Sequence, residues 1–237
     1  MEYNLYKEME KQRGEYAEYG NVELSYNYLM RVISHRKYGN DAKFLDVGTN
    51  IGTLPFMMYS REKLKMFGAE TRSEAVEKGK KKYHEIADML FVVDETLKSI
   101  PNDTFDVVTM FDVIEHIPHV DEYLENEIYR VLKPDGIFVF QTPNARINPL
   151  FEIVRTKSLL AYKSYHCSLQ TPKTLEKILK KAGFDNIIIE KNTIDSEFNR
   201  KKLKKYFGPL GVFALKVFKL VPIGIYPNLW GYCEKSR

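Results

Sequence analysis

The chain has 237 residues, of which 44% are hydrophobic and 29% charged, and its formal net charge is +4. This length and composition predict one elaborated globular domain, and they exclude a collagen-like, low-complexity or wholly disordered protein. The sequence has only two cysteines, an N-terminus without an apolar signal core and no uncharged stretch long enough to cross a bilayer, which together predict a cytoplasmic protein in a reducing compartment.

The chain order of apolar patterns predicts an α/β fold. Residues 3–36 read as two helical stretches rich in tyrosine and charge, and beyond residue 40 short apolar runs alternate with longer helical patterns. This alternation predicts a parallel sheet with helices on both faces. The predicted strands are Lys43–Val47, Leu64–Ala69, Met89–Val93, Phe105–Met110, Ile137–Gln141, Phe184–Glu190 and Asn228–Cys233. The predicted helices lie near residues 52–61, 73–87, 119–132 and 172–182.

Three element boundaries carry local chemistry. Ser73 is predicted to cap the helix that it opens, because its hydroxyl can accept a hydrogen bond from a helix N–H group. Residues 133–136, Lys-Pro-Asp-Gly, are predicted to form a turn in which Gly136 takes a positive φ before the next strand. Thr171 stands before a proline at the first position of a helix, and that helix is predicted to end at Gly183.

The sharpest local signal is the stretch 44–53, in which a strand runs into a glycine turn and then into a helix. Gly48 and Gly52 allow a tight turn and the close approach of a ligand. Glu70 follows the next strand roughly 20 residues beyond the loop, a spacing typical of a carboxylate that binds both hydroxyls of a ribose. Asp94 follows the third strand. Carboxylates at the carboxyl ends of parallel strands predict a nucleoside-binding edge.

The charge of the loop selects among nucleosides. A dinucleotide loop presents helix N–H groups to a pyrophosphate, but here Asp46 stands just before the first glycine, where its carboxylate would repel a phosphate. A ligand with an ammonium group and no phosphate fits better. S-adenosyl-L-methionine combines adenosine, a sulfonium and an amino-acid tail. We therefore predict S-adenosyl-L-methionine as the cofactor, with S-adenosyl-L-homocysteine as its product, in preference to a nicotinamide nucleotide.

In its ordered motifs the sequence resembles the class I S-adenosylmethionine-dependent methyltransferases, particularly the branch of ubiquinone-biosynthesis O-methyltransferases and small-molecule methyltransferases. The resemblance covers residues 44–184, and it is weaker at the final strand. Its motifs are Leu45–Gly52, Gly68–Glu70, Val93–Glu95, Phe105–Val108, Asp112–His116 and Val131–Gly136. The resemblance implies a Rossmann-like fold, with a seven-stranded, mostly parallel sheet, helices on both faces and an antiparallel last strand.

The resemblance also implies which residues bind the cofactor. They are Asp46, Gly48, Asn50 and Gly52 around the methionine part, Glu70 and Thr71 at the ribose, Asp94 and Glu95 at the adenine, and Phe111 and Asp112 closing the pocket. Two places depart from the family pattern. Asn50 stands where a second glycine is usual, and Thr71 and Arg72 replace the usual isoleucine and serine after the ribose acid.

Methyl transfer to a hydroxyl also requires a proton acceptor, and the candidates follow the fourth strand. We predict His116 as the general base, with Glu115 beside it; the alternative is that both bond to the backbone at a strand–helix junction. His166 is a further catalytic candidate, because related methyltransferases carry a histidine near the substrate entrance. A metal site is an alternative, because Glu115, His116 and His119 are close in sequence. We predict no metal, because His116 and His119 flank a proline and do not form a regular helical ligand pair.

The predicted organisation is a helical N-terminal region (1–40), a methyltransferase core (41–191), a basic and apolar segment (192–225) and a final strand that completes the core (226–237). The tyrosines of the N-terminal region form either a lid over the cofactor or an ordinary packed helix face. Residues 200–220 are predicted to cover the acceptor pocket or to form an oligomer contact, for example in a homodimer. The alternative is a peripheral membrane contact.

The expected activity is transfer of a methyl group to a small-molecule acceptor, most directly to a hydroxyl oxygen by in-line displacement. The alternatives are N-methylation, methylation of a sugar, and a nucleoside-binding regulatory role without catalysis. A nucleic-acid partner is not expected, because no recognised RNA-binding module accompanies the basic run at residues 200–205.

Overall fold

The computed structural model of the chain describes residues 21–149, 166–190 and 227–236, together with positions 153, 204, 208–210 and 213. Residues 1–20, which are half of the predicted N-terminal region, and most of the predicted segment 192–225 therefore lie outside the described residues. None of the helices in the described part is long and apolar enough to cross a membrane.

Helices and strands alternate along the described chain. The strands are β1 (Lys43–Val47), β2 (Lys65–Glu70), β3 (Leu90–Val92), β4 (Phe105–Phe111), β5 (Leu132–Pro143), β6 (Phe184–Glu190) and β7 (Asn228–Lys235). The α-helices are α1 (21–33), α2 (Thr53–Met57), α3 (Ser73–Lys82), α4 (Val120–Tyr123) and α5 (Pro172–Lys181). Helices α2 and α4 continue into π-helical turns, Met58–Glu62 and Leu124–Tyr129, and 3-10 turns lie at His84–Met89 and Ile114–His116.

The strands form one seven-stranded sheet in the order β3-β2-β1-β4-β5-β7-β6. The pairs from β3 to β5 are parallel, whereas β7 runs antiparallel to both β5 and β6. The chain winds outwards from β1 in one direction and from β4 in the other, so a topological switch point lies between these two strands. Ligands of open α/β sheets bind at such a point, beyond the carboxyl ends of the strands. The predicted sheet and its antiparallel last strand are confirmed.

The core lies on both faces of the sheet. Phe44 and Leu45 of β1 are fully buried and, as consecutive strand residues, point to opposite faces. Phe44 packs in a cluster with Leu29 of α1 and Met57 of α2, and Leu45 packs in a second cluster with Leu175 of α5. Burial of one such side chain stabilises the fold by about 1.5–3 kcal/mol. Helices therefore cover both faces, as predicted.

The two predicted helix starts have different outcomes. Thr171 caps α5 as expected: its Oγ1 accepts a hydrogen bond from Thr174 N at 3.2 Å, and Thr174 Oγ1 accepts one from Thr171 N at 2.8 Å. The prediction that Ser73 caps α3 is wrong. Ser73 is the first helical residue, and the cap position is Arg72, whose side chain bonds to Glu70 instead of capping the helix.

The prediction of a turn at residues 133–136 is also wrong, because these residues lie within β5. The register between β4 and β5 shifts across this stretch, so it forms an irregularity inside the strand. The positive φ falls on Asp135 (63°) and not on Gly136. Glycine is needed at position 136 for space, since a Cβ there would lie 2.7 Å from the carbonyl oxygen of Lys133.

Candidate functional site

The loop after β1 brings backbone close to residues from β3 and from the loop after β4. Gly48 has φ 76° and Gly52 has φ 77°, both in the left-handed region that favours glycine. A Cβ at Gly48 would lie 2.4 Å from Val113 Cγ2, and one at Gly52 would lie 2.6 Å from Leu90 Cδ2. Side chains at these two positions would therefore collide with Val113 and Leu90, so the two glycines let the loop pack closely at the carboxyl edge of the sheet.

Asp46 is a buried carboxyl group at this edge, with 6% of its surface exposed. Its Oδ1 accepts a hydrogen bond from Thr109 Oγ1 at 2.6 Å. Burial raises the pKa of Asp46 to about 6, against the lowering effect of the Thr109 and Thr49 hydroxyls, and the charge of Glu70 raises it further. A cation bound beside Asp46 would favour the ionised carboxylate.

Glu70 ends β2 and is held by the backbone around it. Its Oε1 accepts hydrogen bonds from the N–H groups of Thr71 at 3.0 Å and Arg72 at 3.1 Å, and its Oε2 accepts one from Asn50 N at 2.9 Å. Burial by itself raises the pKa of Glu70. The hydrogen bonds and charge of Arg72, with the Asn50 N–H, outweigh burial and hold the pKa below its usual range. Glu70 is therefore a fixed, ionised acceptor.

The two departures from the family pattern contact each other. Arg72 donates from Nη2 to Asn50 Oδ1 at 3.0 Å and from Nε to Glu70 Oε1 at 3.2 Å. Asn50 has φ 54°, a left-handed conformation that asparagine adopts more readily than most residues. The residues at positions 50 and 72 thus form one hydrogen-bonded network with Glu70, in which Arg72 and Glu70 are the ion pair.

Asp94 and Glu95 lie just beyond β3, and both are exposed. Asp94 Oδ1 accepts hydrogen bonds from Thr96 N at 2.8 Å and Thr96 Oγ1 at 2.7 Å, and these bonds lower the pKa of Asp94. The backbone of Val93 donates to the Glu70 carbonyl oxygen at 3.0 Å, which keeps the ends of β2 and β3 together. The third carboxylate is therefore oriented at the same edge as the first two.

Asp112, directly after β4, links this edge to the N-terminal helix. Its Oδ2 accepts from Asn21 Nδ2 at 2.7 Å and its Oδ1 accepts from Gln141 Nε2 at 2.9 Å, while its backbone has φ 55°. Phe111 packs against Trp230 with ring centroids 5.9 Å apart. Sequence reasoning missed Asn21 and Gln141, since no local pattern marks contacts made between distant parts of the chain.

Three further side chains meet beyond the ends of β4 and β5. Glu115 and His116 lie on the 3-10 turn after β4, and His166 precedes α5. One ligand atom of each residue lies within 4.8 Å of those of the other two. The two imidazole rings are 5.2 Å apart between centroids, and His116 Nε2 is 3.8 Å from Glu115 Oε1. The structure thus brings all three predicted catalytic residues together.

Buried polar partners orient this cluster of Glu115, His116 and His166. Glu115 is 1% exposed, and its Oε2 accepts from Thr142 Oγ1 at 2.9 Å. The Nδ1 of His166 lies 3.1 Å from Asn148 Oδ1. The Glu115 carbonyl oxygen accepts from Ser168 N at 3.0 Å, which fixes the two segments to each other. Thr142 and Asn148 were not found from the sequence.

His119 does not join the cluster. It is exposed at the start of α4, where its backbone has φ 51°. Within the described residues, the histidine that joins Glu115 and His116 is His166. The prediction of no metal took into account Glu115, His116 and His119, which are close in sequence, but not His166, which the structure places beside Glu115 and His116.

The glycine loop and the three carboxylates lie along the carboxyl ends of β1, β2 and β3, the edge at which open α/β sheets bind ligands. Residues 22–188 match the family model described as a methyltransferase domain. The chain therefore belongs to this methyltransferase family, which confirms the predicted resemblance at the level of the family. The narrower assignment to the ubiquinone-biosynthesis branch stays a prediction. A comparison with curated proteins found no match.

Solved structures share the fold. Haemonchus contortus phosphoethanolamine N-methyltransferase 2, in complex with phosphomonomethylethanolamine and S-adenosylhomocysteine, is 22% identical with a TM-score of 0.64, over 89% of this chain and 53% of that chain. A SAM-dependent methyltransferase from Archaeoglobus fulgidus is 22% identical with a TM-score of 0.63, over 98% of this chain and 99% of that chain. The present chain spans about half the length of the Haemonchus enzyme.

Proposed function

We propose that the chain is an S-adenosylmethionine-dependent methyltransferase that methylates a hydroxyl oxygen of a small molecule. The observation that carries the proposal is the row of carboxylates Asp46, Glu70 and Asp94 along the ends of β1, β2 and β3. Residues 44–53 contain no lysine or arginine, so the glycine loop itself offers an anionic group to the ligand. This charge favours a ligand with an ammonium group over one with a pyrophosphate.

The residues of the edge fit this cofactor in order. Asp46 would bind the ammonium group, Glu70 the ribose hydroxyls and Asp94 the adenine amino group, with the Gly48 and Gly52 backbone against the methionine part. Glu95, Thr71, Phe111 and Asp112 would complete the pocket. When bound, the cofactor supplies a methyl group on a positively charged sulfur.

The cluster of Glu115, His116 and His166 would receive the acceptor, since it lies beyond β4, the strand next to β1 at the switch point. The protein aligns the acceptor oxygen with the methyl group. When no metal ion is bound to the cluster, His116 takes the hydroxyl proton. The His116 side chain is 35% exposed and can reach a substrate, whereas Glu115 is buried and orients the cluster.

N-methylation is the second candidate. The Glu115 carboxylate is 2% exposed at its side chain and lies beside a half-open imidazole, an arrangement that can also hold an amine. The Haemonchus enzyme of the same fold is an N-methyltransferase crystallised with a methylated ethanolamine phosphate. An acceptor screen separates the two candidates.

Calorimetry and a methyl-transfer screen test the proposal. Glu70→Gln should weaken S-adenosylmethionine binding about 10- to 100-fold, because hydrogen bonds to a charged group contribute about 1.5–3 kcal/mol. Asp41→Asn, an exposed carboxyl before the amino end of β1, is the matched control and should bind normally. The screen offers labelled S-adenosylmethionine with phenols, sugars, amines and RNA. Binding of NADH instead would reject the cofactor, and cofactor binding without transfer to any acceptor would favour the regulatory alternative.

We further propose that residues 200–220 cover the acceptor side or contact a second copy of the chain, with peripheral membrane contact as the alternative. Two apolar residues described in this segment, Leu210 and Phe213, are 77% and 64% exposed, which supports a partner surface. Liposome flotation and sedimentation of the full chain and of a chain lacking residues 200–220 distinguish these roles. Flotation that depends on the segment would establish the membrane contact.

A further inference from the structure

We infer that Glu115, His116 and His166 form a binding site for a divalent transition-metal ion, with Zn²⁺ the best match. Two imidazoles and one carboxylate are ligands of such ions, and three protein ligands leave a coordination position for an oxygen of water or of a substrate. Ion binding is independent of the cofactor. The inference rests on the proposed function only in identifying that oxygen as the hydroxyl of the methyl acceptor.

The distances within the cluster suit a shared ion. The 3.8 Å between His116 Nε2 and Glu115 Oε1 is too long for a hydrogen bond. Two ligand atoms that share an ion at about 2.1 Å lie roughly 3.0–3.4 Å apart in tetrahedral or octahedral geometry. The three ligand atoms, now within 4.8 Å of one another, therefore need to close by about 1–2 Å. The half-open His116 side chain has room to make that rotation.

Buried hydrogen-bond partners orient two of the three ligands, His166 and Glu115. Asn148 Oδ1 is an acceptor, so it places the proton of His166 on Nδ1 and leaves Nε2 as the ring's electron-pair donor. Thr142 Oγ1 occupies Glu115 Oε2, while Oε1 is the oxygen nearest His116. Metal-binding histidines and carboxylates are oriented by partners of this kind. Asn148 is 9% exposed and Thr142 fully buried, so both partners are held in place.

Charge and chemistry give the ion a role. Glu115 is a buried carboxyl, and a divalent cation would offset the cost of ionising it there. A histidine nitrogen that binds an ion does not take a proton, so the ion and the general-base role of His116 exclude each other. With the ion present, a hydroxyl oxygen bound at the open position would be held and polarised by the metal.

Titration of the metal-stripped, tag-free full chain tests the inference. Zn²⁺ should bind with one equivalent per chain, Co²⁺ should give a visible absorption band, and excess Mg²⁺ should not displace either. Glu115→Gln and His166→Ala should weaken Zn²⁺ binding at least 100-fold, and Thr142→Val about 10- to 100-fold. His119→Ala and Cys167→Ser, which alter exposed neighbours outside the ligand set, should leave binding unchanged.

The inference is overturned if Zn²⁺ does not bind, if His166→Ala binds it normally, or if His119→Ala or Cys167→Ser abolishes binding. Circular dichroism identifies a variant that fails to fold, and Thr142→Val, which only removes an orienting hydroxyl, then decides the question. Calorimetry with S-adenosylmethionine on the same stripped samples keeps the two proposals separate. Normal cofactor binding without Zn²⁺ binding rejects the metal site alone, and the reverse result rejects the proposed function alone.

Discussion

Replacing Asp46 with asparagine should stabilise the ligand-free protein at neutral pH while removing cofactor binding. Burial raises the pKa of this carboxyl from 3.8 to about 6. At about 1.4 kcal/mol per pKa unit, its ionisation in the fold costs about 3 kcal/mol more than in the unfolded chain. Asparagine keeps an oxygen that can accept from Thr109 Oγ1 and has no charge to bury. The expected gain at pH 7.5 is therefore up to ~3 kcal/mol.

The sign of the pH dependence follows from the raised pKa. Below pH 3.8 the Asp46 carboxyl is protonated in both states, and its protonated form contributes its full stability. As the pH rises towards 6 the unfolded chain releases the proton first, so the free energy of unfolding falls. Above pH 6 the loss is complete. Wild type should therefore lose stability relative to Asp46→Asn between pH 4 and pH 6, and the difference should then be constant.

Urea denaturation of both proteins from pH 4 to pH 7.5 measures this difference. Asp94→Asn is the control, because the pKa of Asp94 is lowered by Thr96 and its contribution to stability is lost as the pH falls, the opposite direction. Calorimetry should also show wild-type affinity for S-adenosylmethionine falling about tenfold per pH unit below 6, since the ionised carboxylate binds the ammonium group. A difference between wild type and Asp46→Asn that does not change with pH would refute the reasoning.

Three further changes test other parts of the structure. Arg72→Ala should weaken S-adenosylmethionine binding about tenfold in calorimetry, because Arg72 holds Glu70 and Asn50. The binding free energies of Arg72→Ala, Asn50→Gly and the double variant should give a coupling energy of about 0.5–3 kcal/mol. Strictly additive effects would contradict the contact between the two side chains. Gly48→Ala should destabilise the fold by about 1–3 kcal/mol in urea and abolish cofactor binding, because of its positive φ and the neighbouring Val113 side chain, and a wild-type unfolding curve would contradict this. Thr171→Ala should cost about 1 kcal/mol of unfolding free energy, whereas Thr171→Ser, which keeps the capping oxygen, should cost much less; equal losses would exclude the cap as the cause.

Local pattern in the sequence was sufficient for most of the strands and for the edge at which the three carboxylates lie. Six of the seven strands were predicted to within about two residues at each end, because each is a short apolar run bounded by polar or glycine-containing stretches, whereas β5 begins at Leu132 instead of Ile137. Asp46, Glu70 and Asp94 could be grouped because each lies at or just beyond the end of a strand, and the ends of parallel strands meet at one edge of a sheet. The start of α5 could also be predicted from local pattern, because the capping hydrogen bonds of Thr171 join it to Thr174, only three residues away.

Two predictions of local structure were wrong. Ser73 has the chemistry of a helix cap, but α3 begins one residue earlier than that prediction requires, with Arg72 at the cap position. The Lys-Pro-Asp-Gly stretch at 133–136 has the composition of a turn, but pairing of β5 with β4 on either side of it keeps it inside the strand. For residues 133–136, the pairing that decided the outcome involves a strand outside the local pattern.

The sequence by itself therefore determined the order of the elements, the row of carboxylates and the family. Only the tertiary structure decided which polar residues meet: Asn50 with Arg72, Asn21 with Asp112, and His166 in place of His119 beside Glu115. The physical reason is that strand ends are aligned by backbone hydrogen bonds of fixed register, whereas these side-chain contacts depend on where loops distant in the chain return to the sheet edge.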